Sequence, residues 1–213
     1  MARRARGGKA GAETAKAHAG SAEDRLVDAA LTLAARQGWR DTGLGEIAAE
    51  AGLPLNEAYA ACPSKLAILA AFHRRIDRAA LAGVAADSEE PPRDRLFDVL
   101  MRRFDALQPH KAALRVILRD GMGDPLALLG LPALLRSMGW MLEAAGISAA
   151  GWWGRLRANL LAGLYLSVLR IFLGDDSADL TQTMAALDRR LRRAESFLRA
   201  TGARRADAPS EHR

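Results

Sequence analysis

Asn56, Glu57 and Tyr59 lie within four residues of one another in "AGLPLNEAYAACPSK", residues 51–65. Their chemistry is recognition rather than catalysis. An Asn amide can pair with the edge of adenine, and a Glu carboxylate can accept from cytosine N4. Elsewhere the side chains that do chemistry are scattered. His18 and His212 belong to the terminal segments, and His73 and His110 have no Cys, Ser or paired carboxylate in motif spacing. "GMGDPLALLG" is a glycine cluster before a helix and reads as a turn, not as a phosphate-cradling loop. The expectation is a protein that is not an enzyme and needs no cofactor.

Cys62 is the only cysteine among 213 residues, so no internal disulfide forms and no zinc cluster is expected. It reads as a small buried hydrophobe. The net charge of +6 is unevenly placed: residues 1–22 hold Arg3, Arg4, Arg6, Lys9 and Lys16 against Glu13 alone. A basic arm on a near-neutral body suits a polyanion, and Arg3, Arg4 and Arg6 could reach a minor groove or a phosphate backbone. No apolar stretch follows the basic start as a secretory signal would require. The most apolar run, "LLAGLYLSVLRIFL" (160–173), is expected to be too short for a bilayer, which needs about 20 residues. No membrane span and a cytoplasmic, nucleoid-associated location are therefore expected.

The elements that must position Asn56 and Glu57 are helices. Strand alternation and Asn-Gly hairpins are nearly absent, whereas Ala, Leu and Arg abound. Ser21 with Asp24 approximates a capping box for a first helix, whose stripe is Leu26, Ala29, Ala30, Leu33 and Ala34 before Gly38. A second, short helix places Leu44, Ile47, Ala48 and Ala51 inward and stops at Gly52. A third starts around Pro54 and runs to Cys62, and a long fourth runs from Ser64 to about Ala86. This spacing is that of a helix-turn-helix, which sends the leading side chains of its second helix to base edges: here Leu55, Asn56 and Glu57, then Tyr59 and Ala60. "DSEEPPRD" (87–94) reads as a linker. Further helices are expected near 93–107, 110–120, 125–145, 149–173 and 178–200. The fold class is all-α.

Residues 26–72, from "LVDAALTLAARQGW" through Thr42, "EIAAEAG", Tyr59 and "PSK", resemble the TetR-type transcriptional regulators. The resemblance implies a three-helix head on a larger helical body, working as a homodimer on a palindromic operator in double-stranded DNA. It implies that Thr42 and Lys65 touch phosphate. The third helix departs from the family pattern: Glu57 replaces a small hydroxyl residue, and Ala60 and Ala61 replace aromatics. The resulting divisions are a disordered basic arm (1–22), the DNA-binding head (23–66), a connecting helix and linker (67–92), an effector-binding and dimerisation body (93–201) and a disordered tail (202–213).

Within the body, Leu160, Gly163, Leu164, Val168, Ile171, Met184, Leu187 and Leu191 fall at helical spacing, and the resemblance places them on a dimer interface. A pocket for a small hydrophobic effector would be lined by Phe104, Leu107, Leu114, Ile117, Leu118, Met138, Trp140, Met141, Trp153 and Tyr165. The stretch containing Trp152-Trp153, Arg155, Leu160, Tyr165 and the Asp175-Asp176-Ser177 break is also similar to the lipid-binding accessory proteins of ubiquinone biosynthesis. Those proteins share this fold without binding DNA. The reading is a homodimeric repressor released by a hydrophobic effector; the alternative is a lipid- or isoprenoid-binding accessory protein.

Overall fold

A computed structural model describes residues 21–84, 89–121 and 130–206. Arg3, Arg4 and Arg6, the start expected for the helix at 125, and the tail after 206 lie outside the described residues. Among those described, nine α-helices and one 3-10 turn account for the regular structure: α1 (Ala22–Gln37), α2 (Leu44–Glu50), α3 (Leu55–Ala61), α4 (Lys65–Leu81), α5 (Pro92–Leu107), the 3-10 turn Gln108–His110, α6 (Lys111–Gly121), α7 (Leu131–Ala144), α8 (Gly151–Gly174) and α9 (Thr181–Ala206). The all-α expectation holds, and the element order follows the periodicity. The clearest difference is α4, which ends at Leu81 instead of continuing towards residue 86; Gly83 follows with φ +73°.

Two compact units form. The first takes residues through 74 together with 112–130; the second takes 75–111 and the chain from 131 onward. In the first, α1 begins where expected: the Asp24 N–H donates to the Ser21 hydroxyl at 3.2 Å, and that hydroxyl donates to the Asp24 carboxylate at 2.8 Å. All five residues of the expected α1 stripe are buried, with Ile47, Ala48, Ala58, Cys62 and Ile68 beside them in the core. Burial pushes the Cys62 thiol above its ordinary range, Glu23 pushes it the same way, and Arg74 opposes them. That suits an inert core residue.

The second unit is built on aromatic packing. Phe104 stacks on Tyr165 at 5.3 Å and meets Phe172 at 5.2 Å. Arg103, wholly buried, pairs with Asp77, which also accepts the Ser137 hydroxyl at 2.7 Å. Helix α8 runs 24 residues, close to the span expected at 149–173, and contains the apolar run 160–173. By length and composition alone it could cross a membrane, with a mean hydropathy of 1.5 over 18 residues, as the core helix of a soluble protein also could. One face of α8 buries Ala158, Leu161, Tyr165, Val168 and Phe172 within the unit.

Candidate nucleic-acid interface

The turn between α2 and α3 is fixed before any reading residue is placed. Gly52 adopts φ +62°, a left-handed conformation that closes a helix end at no steric cost for glycine. Its N–H donates to the Ala49 carbonyl at 3.0 Å, and the Leu53 N–H to the Ala48 carbonyl at 2.9 Å. Arg25 of α1 donates from one guanidinium nitrogen to the carbonyls of both Ala51 and Gly52. A cation is thereby seated on carbonyls that the end of α2 leaves without helical partners. Pro54, with φ −65°, then caps α3, and Ser64 caps α4 by accepting the Ala67 N–H at 3.1 Å. The Pro-Ser-Lys punctuation is thus a helix start.

Between those ends, α3 buries Ala58 and turns Leu55, Asn56, Glu57, Tyr59 and Ala60 outward. The structure therefore gathers five of the residues expected at DNA on one exposed helix. Leu55 and Tyr59 are 66 % and 71 % exposed.

Thr42 and Lys65 sit differently. Thr42 is buried, and its hydroxyl donates to the Gly38 carbonyl at 2.6 Å, so the side chain faces inward. Lys65 directs its ammonium at the carbonyls of Trp39 and Thr42, the latter at 2.9 Å, and lies 4.4 Å from the centre of the Trp39 ring. Two of its three N–H groups are therefore spent on holding the loop before α2. Burial lowers its pKa, with Asp41 and Asp120 acting in the opposite direction. The same loop is gripped by Asp120 of α6, whose carboxylate accepts the N–H groups of Trp39 and Arg40. Sequence reasoning missed Arg25 and Asp120, because nothing local to either residue signals a partner 26 or 81 positions away.

The ten residues expected to line an effector pocket divide between the units. Leu114, Ile117 and Leu118 belong to the first; the other seven belong to the second. Phe104, Leu107, Met138, Met141 and Tyr165 are close-packed there, whereas Trp140 and Trp153 are exposed. An open surface depression of ≈ 310 Å³ in the second unit is lined by Ile171, Ala186, Arg189, Arg190 and Arg193, with none of the ten among them. The expected dimer residues also divide. Val168, Leu187 and Leu191 are buried inside the unit and are corrected to core; Leu160, Gly163 and Met184 are exposed, and Leu164 and Ile171 half-buried.

No family model and no curated protein matches the sequence. Solved structures do match the fold. A TetR transcriptional regulator from Nitrosomonas europaea is 24% identical with a TM-score of 0.66, over 81% of this chain and 97% of that one. A TetR transcriptional regulator from Rhodococcus sp. RHA1 is 23% identical with a TM-score of 0.56, over 81% and 96% of the two chains. A TetR-family regulator from Streptomyces coelicolor is 20% identical with a TM-score of 0.56, over 89% and 90%. The chain has the TetR fold.

Proposed function

We propose that the chain is a homodimeric, DNA-binding transcriptional regulator, a repressor released by a small hydrophobic effector. The observation that carries the reading is α3. A seven-residue helix, preceded by a turn that Arg25 holds and followed by the Ser64 cap of α4, turns Asn56 and Glu57 outward with Leu55, Tyr59 and Ala60 beside them. Asn56 would pair with adenine, and Glu57 would accept from cytosine N4. Support for the fold-level part comes from the solved regulators of the same fold. Effector release requires that the effector bind one disposition of the two heads better than the other.

The homodimer draws support from α8. Its outward face carries Leu156, Leu160 and Leu166, all exposed, with Gly163 allowing close approach. Two copies related by a two-fold axis would cover this stripe and match the symmetry of a palindromic operator. That same uncovered stripe, with Trp152 and Trp153 at its start, favours the second reading: a lipid- or isoprenoid-binding accessory protein.

The test is a fluorescence-anisotropy titration of the purified chain against the DNA upstream of its own coding sequence and a scrambled duplex, at two salt concentrations. Tighter binding to the native duplex, lost in Asn56→Ala, supports the regulator. Equal, weak binding to both, with lipid extracted from the purified protein, moves the function to the second reading.

A further inference from the structure

Helix α3, which turns Asn56 and Glu57 outward, also carries hydrocarbon that its unit leaves uncovered. Leu55, Tyr59 and, on α2, Leu44 border an open cleft of ≈ 200 Å³, with Ile47, Ala58 and Pro63 among its walls. Apart from the Tyr59 hydroxyl, these six side chains offer no donor or acceptor. Helix α3, "LNEAYAA", has no Arg or Lys, the residue types that grip guanine N7 and O6. A duplex presents one hydrocarbon group in its major groove, the C5-methyl of thymine. An apolar cleft on the helix that carries Asn56 is chemically complementary to that methyl and to no other base-edge group.

We infer that Leu55 and Tyr59 read thymine through its C5-methyl group, with Leu44 and the cleft behind them accepting it; the inference rests on the DNA-reading function proposed above. Specificity in each half-site then comes from adenine at Asn56, cytosine at Glu57 and thymine methyls at the cleft. No position would demand guanine through a direct contact from α3.

The experiment selects duplexes from a random-sequence library with the full chain, then rebuilds the enriched duplex with deoxyuridine replacing thymidine one position at a time. Uracil keeps every hydrogen bond of thymine and removes only the methyl. At one or two positions per half-site, the substitution should weaken binding about fourfold, which corresponds to about 0.8 kcal/mol for one buried methyl. Leu55→Ala or Tyr59→Ala should bind thymine and uracil duplexes equally at that position. If thymine and uracil duplexes bind the native chain equally everywhere while the enriched sequence still beats a scrambled one, the methyl reading is overturned and the DNA reading stands. If no sequence is enriched, both fall. The uracil series uses the unmutated chain, so it decides the matter even where a variant fails to fold.

Discussion

The carboxylate of Asp120 accepts the backbone N–H of Trp39 at 2.9 Å, joining residues 81 positions apart. Arg40 completes the joint by donating from its Nε to the Asp120 carbonyl at 2.8 Å. Burial would raise the Asp120 pKa, but the Trp39 N–H, the Arg119 side chain and the Arg40 N–H outweigh it and hold it below the ordinary carboxylate value. With Lys65 on the carbonyl side, the loop that leads into α2 is held by two groups distant in sequence. Asp120→Ala should lower the Tm and weaken specific DNA binding, because α2 buttresses α3. Asp120→Asn, which keeps an acceptor oxygen, should retain most of both. Circular dichroism melts with anisotropy titrations check this; an unchanged Tm in Asp120→Ala would remove the joint from the account.

Acid should destabilise the protein through a second carboxylate. Asp175, at the end of α8, accepts the Thr183 N–H and hydroxyl, each at 2.8 Å, and the Ser177 N–H at 3.2 Å. It thereby satisfies a donor in the first turn of α9. Burial works against its ionisation, but the Ser177 and Thr183 hydrogen bonds dominate and hold its pKa well below the ordinary value. A folded-state pKa lowered in this way contributes stability that is complete above about pH 5 and is lost as pH falls through and below the usual carboxylate range. Asp120 and Asp188 shift in the same direction. The Tm should therefore fall steadily from pH 5 to pH 3. In Asp175→Asn the Tm at pH 7 should drop, and its decline with acid should flatten. A parallel decline in variant and parent would assign the acid sensitivity elsewhere.

The helices were legible because each signal is local. Ser21 with Asp24, Gly52, Pro54 and the apolar stripe of α1 each act within one or two turns, and the structure places all of them as read. The outward face of α3 was legible for the same reason, since a seven-residue helix with Ala58 inward leaves Leu55, Asn56, Glu57, Tyr59 and Ala60 outside. What periodicity could not do was choose between two apolar faces of one helix. Val168 and Leu160 both repeat at helical spacing, yet one is buried and the other 58 % exposed. Nor could it tell a phosphate-seeking lysine from one spent on carbonyls. The phosphate role of Lys65 came from the family resemblance, and the carbonyls of Trp39 and Thr42 that its ammonium meets belong to a loop more than 20 residues away.

The buried pair in the second unit makes an asymmetric prediction. Arg103 has no exposed side-chain surface, Asp77 only 18 %, and the guanidinium carbon lies 5.2 Å from the Tyr165 ring centre. Removing Asp77 takes a carboxylate away from a buried cation, and breaking a buried pair in this way costs about 3–5 kcal/mol, whereas replacing both partners with hydrocarbon is often neutral or stabilising. Asp77→Ala should therefore lose most of the stability of the fold in urea denaturation. Arg103→Met with Asp77→Leu should recover at least half of that loss. If the double variant is no better than the single one, the polar cluster specifies the packing itself and is more than a compensated burial.

Leu160 separates core from interface on α8. It is exposed, so a charge there should leave the fold of each subunit intact, and it lies on the stripe proposed to meet its symmetry mate. In an isologous interface the substitution occurs twice. Fully burying a leucine contributes about 1.5–3 kcal/mol and Leu160 is 58 % exposed, so losing two should weaken self-association at least about tenfold, before any cost of facing two carboxylates. Leu160→Asp should consequently be a monomer by light scattering at concentrations where the parent chain is a dimer, with an unaltered helical spectrum. Its affinity for the upstream duplex should fall as well, because a palindromic site would then be met one head at a time. A parent chain that is itself monomeric, or a Leu160→Asp variant that still dimerises, would take the interface off this face of α8.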